Sequence, residues 1–330
     1  MRFSWILASL VPALLMTLQN APRETRVPAG SISLHARESG RGQPIIVLHG
    51  GPDFDHGYLL PDLDRLANEY RLIYYDQRGR GRSAEGIRPE EVTLASEVDD
   101  VDKVRQHFEL TSTALLGHSW GALLALEYAL RHPSHVSHLI LMNPAPASTN
   151  DVATLRKFYL AKLGAEMDRQ RKIVASPAYQ AGDPEAVIAR YRIHFKPALK
   201  RSDDYEKLMA TMRAGFVRQG KAGIVKARAV EDRLMDETWN VARYDLLPKL
   251  TSLKIPTIVI WGDYDFIPLE VSTHIARAIP NAELVTLKDC GHFAYLERPD
   301  DVRKVFHDFF RRAGASPRPL PAHQSGGGIE

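Results

Sequence analysis

The sequence predicts an α/β fold: a mostly parallel sheet with helices on both faces and a helical cap inserted into it. Short aliphatic and β-branched runs alternate with amphipathic helical patterns over most of the 330 residues, as they do in parallel sheets. The strand runs stop between Ser148 and Asp245, where charged helical patterns take over, and they return at Ile255. That return favours an insertion over the alternative, an independent helical domain.

The composition is that of an ordinary folded protein. Hydrophobic residues make up 44% of the chain and charged residues 25%. A net charge of +3, spread over scattered lysines and arginines, is too small to indicate a nucleic-acid partner. Cys290 is the one cysteine, which excludes an intramolecular disulfide and a cysteine-built metal site. None of these features indicates an oligomeric state.

Residues 1–27 are predicted to be a signal peptide or anchor segment. Met1-Arg2 is followed by "FSWILASLVPALLMTLQNAP", which carries no charge before Arg23 and is typical of a secretory signal. Pro12 and the polar end of the run argue against a stable membrane span in the mature protein. The pattern predicts a secreted or periplasmic protein, with a cytoplasmic or membrane-anchored one as the alternative, and it fixes no cleavage site.

The core is predicted in two pieces, residues 28–147 and 246–313, with the cap at 148–245 between them. "SISLHARES" alternates and predicts an early antiparallel strand, while "PIIVLHG", "RLIYYDQRG", "TALLGHS" and "HVSHLILMNPA" predict further strands. "TIVIWGD" and "ELVTLKDC" continue the sheet after the cap, and "DDVRKVFHDFF" predicts a closing helix. The Pro/Gly/Ser-rich residues 314–330 predict a disordered tail.

One short stretch indicates chemistry. Gly117-His118-Ser119-Trp120-Gly121 fits the G-x-S-x-G pattern, with a predicted strand before it and a predicted helix after it. Such a sharp turn lifts the serine out of the sheet, and glycines on either side avoid a clash where backbone segments meet. A helix N-terminus behind the serine favours developing negative charge. The pattern predicts Ser119 as the nucleophile of an acyl transfer.

A serine nucleophile needs a base and an acid, which follow it in the chain order Ser…Asp…His on this type of turn. His292 comes directly after the predicted strand "ELVTLKDC", at the edge of the sheet where Ser119 lies. The loop after "TIVIWGD" offers Asp263 and Asp265. Asp265 is favoured because it lies deeper in that loop, and Asp263 stays the alternative.

Two backbone N–H groups are expected to stabilise the oxyanion. One belongs to Trp120, directly after the nucleophile. The other is expected from Gly51 in "HGGPDFDHG", where the lack of a side chain lets a carbonyl oxygen approach. His49 in the same loop is interpreted as a structural residue.

Taken together, "HGGPD", "YYDQRGRGRS", "GHSWG", "GDYD" and "DCGHF" resemble the α/β-hydrolase superfamily, and most of all its proline iminopeptidase branch. The resemblance covers roughly residues 27–313, with specific motifs in the core and few in the cap. It implies an α/β-hydrolase sheet and a structural Asp–Arg network at "DQRGRGRS". It also implies a catalytic triad and an oxyanion hole, formed respectively by Ser119, Asp265 and His292 and by Gly51 and Trp120.

Two departures from that branch bear on the substrate. Asp53 stands where the family's glycine-rich motif ends in glycine. Iminopeptidases hold the free amino terminus of the substrate with carboxylates, one of which directly follows the triad acid in some relatives; here that position is Phe266. The cap acids Glu206, Glu231 and Glu237 are the remaining candidates for substrate binding.

The sequence predicts neither a metal nor a cofactor. His132, His135 and His138 are evenly spaced but run from a helix end into a strand, with no carboxylate close by and no H-E-x-x-H motif. No G-x-G-x-x-G or P-loop follows the first strands. Cys290 is interpreted as buried and structural, because its loop already carries the proposed base.

Three functions stay open, each acting on a small molecule or a short peptide. The first is an aminopeptidase that releases N-terminal proline or another small residue, and the second is a carboxylesterase or lactonase for small apolar esters. The third, a ligand-binding protein with little turnover, has no need of the complete Ser–Asp–His order. An anionic patch facing Ser119 would favour the first, and an entirely apolar pocket the second.

Overall fold

An eight-stranded sheet runs through the computed structural model, which describes residues 22–314. Its spatial order is β1-β2-β4-β3-β5-β6-β7-β8. The strands are β1 (Arg23–Ala29), β2 (Ile32–Ser39), β3 (Gln43–Leu48), β4 (Tyr70–Tyr75), β5 (Thr113–His118), β6 (Val136–Met142), β7 (Thr257–Gly262) and β8 (Ala282–Leu287). The pairs β1–β2 and β2–β4 are antiparallel and all other pairs are parallel, which confirms the mostly parallel sheet.

The sheet begins at Arg23, before the predicted core boundary at residue 28. Strand β1 pairs with β2 along its whole length, and Val27 lies opposite Leu34, with both side chains fully buried. Most of the other β1 side chains face solvent, so the sequence of this strand carries little hydrophobic pattern. The rest of the predicted signal segment, and the predicted tail from residue 315 onward, lie outside the described residues.

Helices cover both faces of the sheet. They are α1 (Leu94–His107) and α2 (Trp120–Arg131) before the cap, then α9 (Leu269–Ala278), α10 (Ala294–Glu297) and α11 (Pro299–Gly314) after it. Helix α1 begins at a capping box between Thr93 and Ser96, and α2 begins directly after Ser119. Nearly all of α2 is buried, because it packs on β3, β5 and β6.

The cap lies between β6 and β7 and is entirely helical. Its elements are α3 (Thr149–Leu163), α4 (Glu166–Val174), α5 (Pro177–Gln180), α6 (Pro184–His194) and α7 (Ser202–Glu237), followed by the short α8 (Leu247–Leu250). Gly164, with a φ of 53°, separates α3 from α4, and Gly220, with a φ of 68°, breaks α7. Ser148 and Asp245 form an antiparallel bridge that joins the two ends of the insertion.

The central strands place the functional residues. Strands β5 and β7 are buried at every position, as expected for parallel strands covered on both faces. Their carboxyl ends point to the same edge of the sheet. Ser119, the loop after β7 and the loop after β8 therefore meet at the edge that the cap covers.

Polar residues behind β4 form the Asp–Arg network implied by the resemblance. Asp76 accepts hydrogen bonds from the His56 ring at 2.6 Å and from the backbone N–H of Arg82 at 2.8 Å. Arg80 is fully buried and donates to both carboxylate oxygens of Glu97, at 2.8 and 2.7 Å. A buried guanidinium paired in this way fixes loop geometry.

Candidate active site

Ser119 occupies a strained turn between β5 and α2. Its φ of 56° and ψ of −118° lie outside the regions that non-glycine residues usually adopt. A Cβ added at Gly117 would lie 2.4 Å from the Gly121 carbonyl oxygen, and one added at Gly121 would lie 2.0 Å from the Leu48 carbonyl oxygen. Both positions therefore require glycine, and the turn presents the serine at the carboxyl end of β5.

Asp265 holds the ring of His292. The His292 Nδ1 lies 3.0 and 3.1 Å from the two carboxylate oxygens of Asp265, and both residues are buried. Asp265 also accepts hydrogen bonds from the Ile267 N–H at 2.9 Å and from the Asn143 side-chain amide at 2.8 Å. These partners fix the carboxylate and orient His292 Nε2 away from it.

The alternative acid lies elsewhere. Asp263 accepts a hydrogen bond from the Cys290 N–H at 3.3 Å and lies 3.6 Å from the Lys288 ammonium, near the surface. The structure therefore brings Asp265, and not Asp263, to His292. Burial raises the pKa of the Cys290 thiol, so this side chain stays protonated and packs in the core.

Ser119 and His292 line one cavity of about 140 Å³ beneath the cap. A cavity of roughly 150 Å³ can hold a benzene ring, so this one fits a group the size of a single side chain. The Phe266 ring, at the position after Asp265, lies 4.6 Å from the His292 ring, centroid to centroid. The other aromatic residues of the wall are Phe54, Tyr58, Tyr191, Phe195, Trp239 and Phe293.

Both expected oxyanion donors adjoin the serine. Gly51, with a φ of 123°, lines the cavity, and a Cβ there would lie 2.4 Å from the Asp53 backbone nitrogen. Trp120 is the first residue of α2, so its N–H has no partner within the helix. The Trp120 side chain is fully buried and packs edge-on against Trp239 of the cap.

A chain of hydrogen bonds behind the cavity joins the three loops of the site. The Gly50 N–H donates to the Tyr58 hydroxyl at 2.8 Å, and that hydroxyl donates to His118 Nδ1 at 2.6 Å. His118 Nε2 in turn donates to the His292 carbonyl oxygen at 2.9 Å. Burial and the neighbouring His292 hold the pKa of His118 well below its usual range, which fits a neutral ring that accepts at Nδ1.

Of the three cap acids proposed from the sequence, only Glu231 lines the cavity. Glu206 is exposed and forms two hydrogen bonds of 2.9 Å with Arg192. Glu237 accepts from the Leu94 N–H at 2.7 Å and so ties α7 to the start of α1. The prediction is corrected to Glu231 alone, because sequence position on a long helix does not reveal which acid faces inward.

Glu231 belongs to a charged cluster that the sequence did not reveal. Asp53, which replaces the family's glycine, is buried and accepts a hydrogen bond of 2.5 Å from the Tyr191 hydroxyl. Burial raises the pKa of Asp53, and burial together with Asp53 raises the pKa of Glu231 to about 8. Arg190 lines the same cavity and is, with Arg228, one of two cations near both acids. The sequence alone did not indicate four further residues of the site, because each lies in a segment without a recognisable motif. They are Asn143, Tyr58, Arg190 and Tyr191.

The evenly spaced histidines do not converge. The rings of His132 and His135 stack 5.4 Å apart, while His138 packs against Phe310. Within residues 22–314 there is no group of three or more histidine, cysteine and acidic side chains arranged to hold a metal ion. In the same range no helix combines the length and apolar character that crossing a bilayer requires.

The model of the α/β hydrolase fold family matches residues 43–299, which include every motif described above. The chain belongs to the α/β hydrolase family. It is a hydrolase, and its candidate site lies beneath the cap, at the turn between β5 and α2.

Known relatives agree with the family. A proline iminopeptidase of Heyndrickxia coagulans is 28% identical over 278 residues, covering 82% of this chain and 92% of the relative. The crystal structure of a proline iminopeptidase from Mycobacterium smegmatis superimposes with a TM-score of 0.64 at 23% identity, covering 88% of this chain and 98% of the other. The enol-lactonase of Burkholderia xenovorans gives a TM-score of 0.62 at 22% identity, with 87% and 100% covered.

Proposed function

We propose that this hydrolase uses Ser119, His292 and Asp265 as a catalytic triad to release a single N-terminal residue, as a proline-iminopeptidase-like aminopeptidase. The observation that carries this proposal is one cavity lined by Ser119, His292 and Glu231. The cavity thus has a nucleophile and a base, and its third group can hold an amino terminus. The 28% identical relative named as a proline iminopeptidase supports the same substrate class.

In the first half-reaction, the Ser119 hydroxyl attacks the scissile carbonyl while His292 Nε2 takes its proton. Asp265, bound to His292 Nδ1, stabilises the imidazolium and keeps the ring in the right tautomer. The carbonyl oxygen becomes an oxyanion and accepts hydrogen bonds from the N–H groups of Gly51 and Trp120. Each such donor contributes about 2.7–4 kcal/mol to stabilising the transition state.

The tetrahedral intermediate collapses by breaking the C–N bond, and His292 gives its proton to the leaving amine. The product is an acyl-enzyme on Ser119. In the second half-reaction His292 deprotonates a water, which attacks the ester carbonyl. Collapse of that intermediate returns the proton to Ser119 and releases the acid.

The cap supplies the selectivity for a free amino terminus in this proposal. A substrate ammonium beside Glu231 would gain a charge-assisted hydrogen bond in a site shielded from water. Phe54, Phe195 and Phe293 line the same cavity and give it an apolar wall. An acetylated amino terminus would lose the charge and add bulk where the cavity has room for one side chain.

An esterase or lactonase acting on small apolar esters is the second candidate. The aromatic wall around Ser119 favours it, because such a surface binds an apolar acyl group without any ammonium. The similarity of fold to an enol-lactonase is compatible with it. A ligand-binding protein with little turnover is the third, and the His292–Asp265 contact speaks against it.

Three substrates separate these candidates: a proline arylamide with a free amino terminus, its N-acetylated form, and a short-chain nitrophenyl ester. Ser119→Ala provides the background rate. The proposal expects turnover of the free arylamide that acetylation abolishes and Ser119→Ala lowers by several powers of ten. Ester cleavage alone, dependent on Ser119, would establish the esterase instead, and no turnover of any substrate would leave the binding protein.

Export is proposed on the N-terminal sequence alone. Residues 1–21, with their basic start and apolar run, favour a secreted or periplasmic enzyme. N-terminal sequencing of the protein recovered from cell fractions tests this, since export predicts a shortened chain outside the cytoplasm.

A further inference from the structure

Arg190 is a half-buried arginine that differs from the fully buried Arg80 in its partners. Its guanidinium lies in the wall of the cavity that holds Ser119 and His292. Within residues 22–314 it forms no hydrogen bond, and no carboxylate oxygen comes within 4.0 Å of it. Arg80, the fully buried arginine behind β4, is instead bound to both oxygens of Glu97. Arg190 is only half-buried, and none of its nitrogens is a buried atom without a partner, so its N–H groups are accessible and available to an anion.

The surroundings hold Arg190 in place without using its hydrogen-bond donors. Its guanidinium carbon lies 4.5 Å from the centre of the Tyr191 ring, a stacked arrangement that leaves the N–H edge available. The Tyr191 hydroxyl is occupied by Asp53, at 2.5 Å. The second Asp53 oxygen is buried and has no partner among the described residues.

The cavity therefore contains groups for two opposite charges. Glu231 suits an ammonium, while Arg190 suits a carboxylate, because its planar fork binds two oxygens at once. Glu231 and Arg190 lie on cap helices, and Ser119 and His292 lie on the sheet side. A ligand that spans the cavity would reach the serine with its carbonyl carbon and the charged cluster with the rest of its acyl part.

We propose that Arg190 forms an anion-binding subsite that selects substrates whose N-terminal residue has a side-chain carboxylate, as aspartate and glutamate do. This rests on the proposed function, which it narrows from any small N-terminal residue to an acidic one. The ammonium of that residue lies by Glu231, and its side-chain carboxylate accepts two hydrogen bonds from Arg190. Neutral side chains of the same size leave Arg190 without acceptors and are bound less well.

The test compares the arylamides of glutamate and glutamine, which differ in charge and hardly in size. Wild-type protein is expected to show a kcat/KM at least tenfold higher for glutamate. Arg190→Met should remove that preference, so that the kcat/KM values for the two arylamides become equal. Arg190→Lys keeps the positive charge but loses the planar guanidinium, so it should retain part of the preference for glutamate.

Arg192→Met is the matched control. Arg192 lies on the same helix but is bound to the exposed Glu206, away from the cavity. Its loss should therefore leave kcat/KM unchanged for both arylamides. Equal turnover of the two arylamides by wild-type protein would overturn the inference. So would an equal loss for both substrates in Arg190→Met, because Arg190 would then only balance the charge of Glu231 and Asp53.

A binding measurement keeps this result separate from the proposed hydrolysis. Titration calorimetry of Ser119→Ala with L-glutamate and with L-glutamine needs no turnover. Tighter binding of glutamate, lost in the Ser119→Ala/Arg190→Met double variant, supports the subsite even if no amide is cleaved. Ser119-dependent turnover of the neutral ester together with equal binding of both amino acids would leave the hydrolase standing and reject the subsite.

Discussion

Tyr58 shows how much of this site depends on single hydroxyl groups. It accepts from the Gly50 N–H beside the oxyanion loop and donates to His118 in the nucleophile turn. His118 then donates to the carbonyl of His292, the proposed base. Tyr58 and His118 of the cavity wall thus fix the relative positions of the loops that carry the proposed oxyanion donor, nucleophile and base.

Tyr58→Phe is expected to lower both stability and kcat. It leaves a buried N–H and a buried ring nitrogen without partners, at about 1–3 kcal/mol each. Urea unfolding and kcat for the arylamide measure the two effects. Tyr75→Phe is the control, because the buried Tyr75 hydroxyl has no partner among the described residues and its removal should cost nothing. A Tyr58→Phe protein as stable as the Tyr75→Phe protein would contradict the role of this hydroxyl.

Glu231 predicts a pH dependence that only amine-bearing substrates show. It faces Asp53, Arg190, Asp232 and Arg228, and its pKa is raised to about 8. Below pH 8 it is neutral and binds an ammonium poorly; above pH 8 it is a carboxylate, until the substrate amine itself loses its proton.

The expected profile of kcat/KM for the free arylamide therefore rises about five- to tenfold from pH 6.5 to pH 8 and falls beyond it. The nitrophenyl ester carries no amine, so its profile should lack this rise and fall. Glu231→Gln should make the two profiles parallel. A wild-type arylamide profile that already runs parallel to the ester profile would rule out Glu231 as the group that holds the amine.

Among the secondary-structure elements, the β5–α2 turn depends most strictly on its sequence. Glycines at 117 and 121 allow α2 to start against the backbone of β3, and the strained serine follows from that close approach. The sequence pattern predicted this turn well, because the constraint is local. Helix α2 begins at Trp120, directly after the serine, where the pattern predicted a helix.

Gly121→Ala is expected to destabilise the protein by more than about 2 kcal/mol, since the added methyl would lie 2.0 Å from a backbone oxygen that cannot move alone. Gly215→Ala in α7 is the matched control. Its added methyl meets nothing nearer than 3.7 Å, and alanine is the better helix former by about 0.5–1 kcal/mol. Equal unfolding midpoints for the two variants would disprove the close approach.

The cap was predicted as helical, but its inward face was not. Helix α7 has acids along its length, and only packing decides that Glu231 faces the cavity while Glu206 pairs with Arg192 at the surface. The cluster of Asp53, Arg190 and Glu231 joins a core loop to two cap helices. Contacts between segments so far apart in sequence leave no local pattern, so the sequence alone missed Arg190.

On the scale of the whole molecule, the cap and the core meet at the loop of the proposed base. The His292 N–H donates to the Ala198 carbonyl of the cap at 2.6 Å. The buried carboxylate of Glu297 accepts from the N–H groups of Gly291, Lys200 and Arg201 at 2.6, 2.6 and 3.0 Å. One side chain thus ties the cap to the loop that carries His292.

Glu297→Ala is expected to cost about 1.5–3 kcal/mol, because one buried and two partly buried N–H groups lose a charged acceptor. It should also lower kcat more than it raises KM, since the His292 loop would move relative to Ser119. Glu283→Ala removes an exposed partner of Arg312 and should change stability by less than about 1 kcal/mol. Denaturant unfolding and steady-state kinetics of both variants measure these effects. A Glu297→Ala protein with normal kcat would contradict the role of Glu297 in positioning the His292 loop.

The central claim, that Ser119 is a nucleophile activated by His292, is tested most directly by covalent labelling with a fluorophosphonate and mass spectrometry of the digested protein. One phosphonyl group per chain is expected, on the peptide that contains Ser119, and His292→Ala should suppress its formation strongly. Labelling of another residue, or none in wild-type protein, would contradict the claim.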